Sequence, residues 1–319
     1  MSSAVTLLAY CLMASYAVGP ALVHAGWTTR APRLAIAAWH LLCATTLIAL
    51  MFAGLLLSLS LPYVGTTVAS VVNLCTTTLQ HVYAPPDRHT ASIAAIFTLF
   101  LLPLRMGYVG ARMTVQSRRE GRRLQGLLEP IARSAPGCEG ALVIPHREQY
   151  AFCFPGRRGR VIVTSALLEG LTRSQLRAVL AHERAHVRQR HHLALMAPKV
   201  LRTTFGMFLP LFKMAEGEVA RLVELSADDA AKREVGAQAL VGALQQMSRM
   251  PARSTVLSAT AVAVEERLRR LDATTASSRL SPIQALTVGT AMIAIAITPF
   301  VFALVPVLSS AWRELCFIS

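Results

Sequence analysis

Residues Leu176–Arg188 read LRAVLAHERAHVR, and within them His182, Glu183 and His186 form the pattern HExxH. Leu176, Val179, Leu180 and Ala181 supply the buried face of a helix. Its start is marked upstream, where Thr172 followed by Gln175 fits a capping box and Leu171 and Leu176 are placed to form the hydrophobic staple. Residues four apart share a helix face, so the imidazoles of His182 and His186 can converge on one zinc ion. Glu183 is turned from His182 by about 100 degrees. It therefore reaches toward an attacking water rather than the metal, which is the position of a general base.

Two histidines leave a catalytic zinc one protein ligand short. Glu224-Leu225-Ser226-Ala227-Asp228 follows in a stretch that reads as helix from about Gly217 to Lys232. Glu224 and Asp228 again share a face. Glu224 completes a His2Glu set, and Asp228 can accept the hydrogen bond from the far nitrogen of a ligand histidine, fixing its tautomer. Acids at this spacing also form ordinary surface pairs, for example with Lys232, and only the combination with HExxH argues for a metal. His191 and His192 do not superimpose on the face of His186 and read as surface or interfacial histidines. Arg184, Arg188 and Arg190 read as solvated or lipid-facing charges.

Short strand-like runs precede the helix: Ala141–Ile144, Gln149–Phe154 and Arg160–Thr164, the last two separated by the turn sequence Gly156-Arg157-Arg158-Gly159. Before them Gln116–Leu128 is a helical pattern carrying Arg118, Arg119, Arg122 and Arg123. Next to a membrane such a cluster meets anionic headgroups. No nucleic-acid recognition motif accompanies it, so direct nucleic-acid binding is not expected.

Further outward the chain is apolar. Of its 319 residues 54% are hydrophobic and 15% charged, where soluble domains carry roughly 25% charged residues. Ala4–Val23, the strongly apolar Leu34–Leu61 and Ile283–Ala311 hold no charge, and each is long enough to cross a bilayer. Ala91–Met106, continuing to Ala111, is a further candidate in which Arg105 can snorkel. The N-terminus lacks the basic leader of a secretory signal, so the first run is expected to be a retained helix. The +15 net charge is concentrated: 28 of the 32 Lys and Arg and 15 of the 17 acids lie between Arg105 and Arg279. By the positive-inside rule this segment is cytosolic. The expected topology is four spans with both termini outside, an external loop around Tyr63–His89, and a large cytosolic domain. Gly65–Tyr83 within that loop reads as an external or interfacial helix rather than a fifth span. The segment Leu193–Phe212 is interrupted by Pro198, Lys199, Arg202 and Pro210 and reads as amphipathic or interfacial. The six cysteines form no CxxC pair and define no disulfide framework or Cys-rich zinc site.

The expected architecture is therefore mainly α: a four-helix transmembrane protein with a cytosolic α+β zincin-like domain carrying a small sheet. Residues 1–111 hold three spans, 112–281 the metallopeptidase domain, and 282–319 the fourth span with a short external tail. Tyr150-Ala151-Phe152, Val161–Thr164, Leu176–His186 and Glu224–Asp228 together resemble the integral-membrane gluzincin peptidases, and are most similar to the BlaR/MecR-type sensor-transducers. That family places three spans before its zinc domain and a fourth after it, and the likeness covers roughly Ala4 to Leu308. The resemblance implies one Zn2+ per chain held by His182, His186 and Glu224, Glu183 as catalytic base, and Asp228 as partner of a ligand histidine. It also implies that Tyr150, Ala151, Phe152, Cys153 and Phe154 form an edge strand on which an extended substrate pairs by strand addition. The beta-lactam sensors carry a penicillin-binding domain beyond the fourth span. This sequence ends at Ser319 without an SxxK serine site, so direct antibiotic sensing is not expected of it.

The function so implied is a membrane-bound zinc endopeptidase acting on a protein or peptide, such as a transcriptional repressor or the chain itself, beside the lipid bilayer. Two alternatives stand next to it. One is a quality-control membrane protease like the HtpX-type relatives, which place extra spans between HExxH and the third ligand. The other is a non-catalytic signalling scaffold with structural zinc, in which Glu183 would have no evident purpose.

Overall fold

The apolar runs fold as long helices, because in a bilayer each backbone N–H and C=O must be satisfied within its own segment. The structure is a computed structural model describing residues 2–58, 100–135, 138, 140–153, 160–248, 257–272 and 280–316. Helix α1 (Ser2–Met13) continues through a π-helical segment (Ala14–Val18) into α2 (Gly19–Val23). After α3 (Trp27–Arg30), helix α4 (Pro32–Ser58) returns. Three candidate membrane spans lie among the described residues: Ser3–Val23, Pro32–Leu56 and Pro282–Leu304. The last opens the helix Pro282–Cys316, numbered α12 below.

The expected span at Ala91–Ala111 begins outside the described residues, as do Tyr63–His89 and the questionable Gly65–Tyr83. Its end, from Leu102, opens α5 (Leu102–Leu128), which runs unbroken into the basic cluster Arg118, Arg119, Arg122 and Arg123, all exposed. Between the spans the packing is specific. Tyr10 donates a hydrogen bond to Thr45 Oγ1 at 2.9 Å, and Phe52 meets Phe300 edge to face at 5.5 Å between ring centres. Ile283, Leu286 and Ile293 of α12 remain exposed, as expected of side chains facing lipid.

The three expected strands form, each a little shorter than its apolar run: β2 (Leu142–Ile144), β3 (Ala151–Cys153) and β4 (Val161–Thr164). A two-residue β1 (Arg133–Ser134), invisible as a pattern because it is exposed and polar, joins them. The order is β1-β2-β4-β3, with β4 parallel to β2 and antiparallel to β3. The wholly buried Val161–Thr164 is thus central and β3 forms an edge.

Helix α6 (Ser165–Gly170) leads to α7 (Arg173–Arg188), whose capping box forms as the sequence predicts: Gln175 N donates to Thr172 Oγ1 and Thr172 N to Gln175 Oε1. Leu176, Val179 and Leu180 pack under the sheet against Val161, Val163 and Leu167. The remaining elements are α8 (His191–Phe205), α9 (Leu211–Val235), α10 (Ala237–Ser248) and α11 (Leu257–Asp272).

Helix α9 joins the two halves of the molecule. It is longer than the predicted Gly217–Lys232. Its first turns, through Leu211, Phe212, Ala215 and Val219, pack with Trp39 and Leu42 of α4. Its later turns face α7 through Ala227 and Ala230 against Ala185. Alanines on both sides let the two helix backbones approach closely, since no larger side chain keeps them apart. The expected Leu193–Phe212 segment is divided between α8, which contains Pro198, and the start of α9, where Leu211 and Phe212 are buried in the core and not at an interface. Helix α8 is tied to α4 by His40, whose Nε2 lies 3.1 Å from Ala194 O.

Candidate active site

The close α7–α9 seam places the HExxH face of one helix opposite the ExxxD face of the other. His182 Nε2 and His186 Nε2 lie 3.1 Å apart. Glu224 spans the two rings, with Oε2 at 3.4 Å from His182 Nε2 and Oε1 at 3.5 Å from His186 Nε2. These three residues form a group of donor atoms able to hold a metal ion. Offering one ligand atom each, the three lie within 4.8 Å of one another, and two imidazoles with one carboxylate are the donor set of a catalytic zinc.

Each ring is also oriented from behind. Asp228 is fully buried, and its Oδ1 lies 2.9 Å from His182 Nδ1. The contact is an ion pair and does not count as a hydrogen bond. Arg267 of α11 grips both Asp228 oxygens, Nε to Oδ2 and Nη2 to Oδ1, each at 2.7 Å, and its Nη1 reaches Glu224 at 3.4 Å.

Behind His186 stands His191, whose Nδ1 is 3.0 Å from His186 Nδ1, while its Nε2 is 3.2 Å from Gln189 Oε1. Protons along this chain can be assigned from its end. Gln189 Oε1 receives Arg33 Nε–H at 3.1 Å and the Ser226 hydroxyl at 2.7 Å. It is therefore an acceptor, so His191 donates from Nε2 and accepts at Nδ1. His186 then donates from Nδ1, and its Nε2 lone pair is left facing Glu224 and His182. That is the tautomer a metal ligand needs.

Electrostatics follow the same geometry. Burial alone would push the His182 imidazole down, but the Asp228 and Glu224 carboxylates outweigh it and hold the group up to about 9. The same interaction, with Arg267 added, overcomes burial at Glu224 and holds its carboxyl down to about 2. Burial pushes His186 down to about 4, beyond what the Glu224 charge restores. Burial raises Glu183, with Glu224 adding to the rise against the opposing charge of His182. Cys153 of β3 stands beside Glu183, and burial together with the Glu183 charge raises its thiol to about 11.

The family description "Peptidase family M48" matches residues 116–275 of the chain, half its length. The chain belongs to peptidase family M48. No curated protein and no solved structure matched it. The M48 domain thus covers α7, α9, α11 and the sheet, the elements that build the constellation, and it identifies the chain as a metallopeptidase.

Within the M48 domain His182, His186 and Glu224 come together as the sequence predicts, with Glu183 beside them and Asp228 behind. Ala151, Phe152 and Cys153 lie on the edge strand and Tyr150 directly before it, its hydroxyl bonded to Glu148; Phe154 lies outside the described residues. Two residues were missed. His191 is not at the surface: it is 3% exposed and pressed against His186. Arg190 adopts a left-handed backbone (φ 52°) that ends α7 and swings α8 around, so the five-residue spacing does not run along one helix. Arg267 was also unforeseen, and the one available signal was the need of a buried Asp228 for a cation. His192 is exposed, as expected.

Proposed function

We propose that this M48 protein is a membrane-bound zinc endopeptidase, with one Zn2+ held by His182, His186 and Glu224 and with Glu183 as general base. The carrying observation is the convergence of the three donor groups, with buried Asp228 beside the His182 ring and buried His191 beside the His186 ring. Zinc in such a site supplies a Lewis acid that polarises the scissile carbonyl and acidifies the attacking water.

The protein's own residues do the rest. Glu183, whose pKa burial raises, takes a proton from water as the water oxygen bonds to the carbonyl carbon. It returns that proton to the amide nitrogen as the C–N bond breaks, releasing an amine and a carboxylic acid, which then ionises to the solvent. Cys153 of the edge strand stands beside the Glu183 carboxylate. Asp228 with Arg267, and His191 with Gln189, keep the ligand rings from turning. Strand β3 lies at the edge of the described sheet and close to Glu183, where an extended substrate would add as a further strand.

Three regions make up the protein in this reading: spans up to residue 111, a cytosolic metallopeptidase domain over 112–281, and a closing span, with both termini outside. The charge of residues 105–279 supports that orientation. Anchoring of α9 to α4 supports cleavage at the membrane face. The preferred role is selective cleavage, in the manner of BlaR/MecR-type transducers, of a transcriptional repressor or of the chain itself. Against an HtpX-like quality-control role stands α8, which with Lys199 and Arg202 is not among the candidate spans.

The test is a comparison of the proteomes of cells carrying the intact protein and a His186→Ala variant. A short list of substrates accumulating in the variant supports regulated proteolysis. Broad accumulation of membrane proteins supports quality control, and no difference refutes both.

A further inference from the structure

A cleft of about 750 Å³ opens where the end of α7 and helices α8 and α9 meet the first turns of α4. Arg33, Arg188 and Arg233 line it, with Glu234 as the sole acid and Ile36, Ala194 and Ala230 as an apolar wall. Glu234 is engaged by Arg188 at 3.0 Å. Arg33 gives only its Nε to Gln189. Among the described residues neither Arg33 nor Arg233 is paired with a carboxylate. Three guanidinium groups therefore share one cleft with a single counter-charge, an arrangement that favours a bound anion.

Guanidinium forks match the paired oxygens of a phosphate group. The place of the cleft narrows the choice further. Arg33 is the second residue of α4, whose apolar run Pro32–Leu56 is a candidate span, so the cleft opens at the depth of lipid headgroups. The apolar wall suits the carbon chain joined to such a headgroup.

We propose that this cleft binds the phosphate of an anionic lipid headgroup from the leaflet next to the peptidase domain. Arg33, Arg188 and Arg233 are its ligands; Gln189 and His191 also line the cleft, so it lies behind the His182–His186–Glu224 centre without including those three residues. The proposal concerns binding and does not depend on peptidase activity.

Native mass spectrometry of the full chain in detergent, titrated in turn with phosphatidylglycerol, phosphatidylcholine and inorganic phosphate, tests it. Phosphatidylglycerol should be retained in preference to phosphatidylcholine. Arg233→Gln should weaken retention about tenfold, the loss of one charge-assisted phosphate contact, and adding Arg33→Gln should weaken it further. Arg233 is exposed and its replacement should leave the melting temperature unchanged, which keeps the comparison free of misfolding. Arg119→Gln, in the exposed cluster of α5, should have no effect.

Equal losses in the Arg119 and Arg233 variants would overturn the proposal, showing general attraction to charge. So would equal retention of the two lipids, or no retention of either lipid or phosphate. If inorganic phosphate binds with the same dependence on Arg233 while the lipid does not, the lipid proposal is overturned and the cleft is a site for a soluble phosphate.

Discussion

Replacing Arg267 by Met removes the cation that holds Asp228 in place while keeping most of the side-chain volume. The guanidinium makes two contacts of 2.7 Å to a carboxylate whose side chain is 1% exposed. Breaking a buried pair from one side costs about 3–5 kcal/mol, because the remaining charge stays buried without its partner. Here His182 remains beside Asp228 at 2.9 Å as partial compensation, so the lower end, about 3 kcal/mol, applies. For a domain of this size each kcal/mol moves the melting temperature by about 2–4 °C, which gives a fall of about 6–12 °C. The assay is thermal unfolding of the metal-stripped, detergent-purified protein. Its control is Arg269→Met, which breaks the Arg269–Glu265 pair, 74% and 65% exposed. A pair so placed contributes at most about 1 kcal/mol. Asp228→Asn added to Arg267→Met should recover stability, since it removes the orphaned charge. Equal shifts for the Arg267 and Arg269 variants, or a double variant worse than Arg267→Met alone, would refute this account of the buried pair.

Two further outcomes follow from the site. With His182 held up to about 9 and His186 and Glu224 down to about 4 and 2, the metal-free centre near pH 6 carries one displaceable proton, on His182. Zinc uptake at pH 6 should therefore release about one proton, and affinity should rise about tenfold per pH unit before flattening near pH 9. Calorimetry in buffers of different ionisation enthalpy measures this, and no proton release at pH 6 would contradict it. His191→Leu deprives His186 Nδ1–H of its acceptor and should weaken zinc binding about 10–100-fold. His191→Gln should recover part of the loss, and unchanged affinity in the Leu variant would rule out the orienting role.

What could be read from the chain is what depends on local spacing. HExxH and ExxxD each declare a helix face, and the Thr172–Gln175 box, three of the strands and the long apolar runs declare themselves within a few residues. What escaped depends on contacts between distant segments. Glu265-Glu266-Arg267-Leu268-Arg269-Arg270 looks like any solvated charged helix, and only folding brings Arg267 into the site while leaving Arg269 outside. His191 was misplaced because the helix was carried on past Arg188, whereas a left-handed Arg190 turns the chain back. The central role of α9 was also hidden, since nothing in its spacing shows that Leu211 and Phe212 pack against Trp39 of a candidate membrane span.

The central claim is tested most directly by zinc content and peptide hydrolysis measured on the same preparation of the Glu183→Gln variant. The substituted amide keeps the shape of the side chain but takes up no proton, and Glu183 is not among the three proposed zinc ligands. The account predicts about one zinc per chain in both proteins, with hydrolysis in the variant lower by about 10²–10⁴-fold. Full hydrolysis by the variant, or loss of the zinc along with the Glu183 carboxylate, would contradict it.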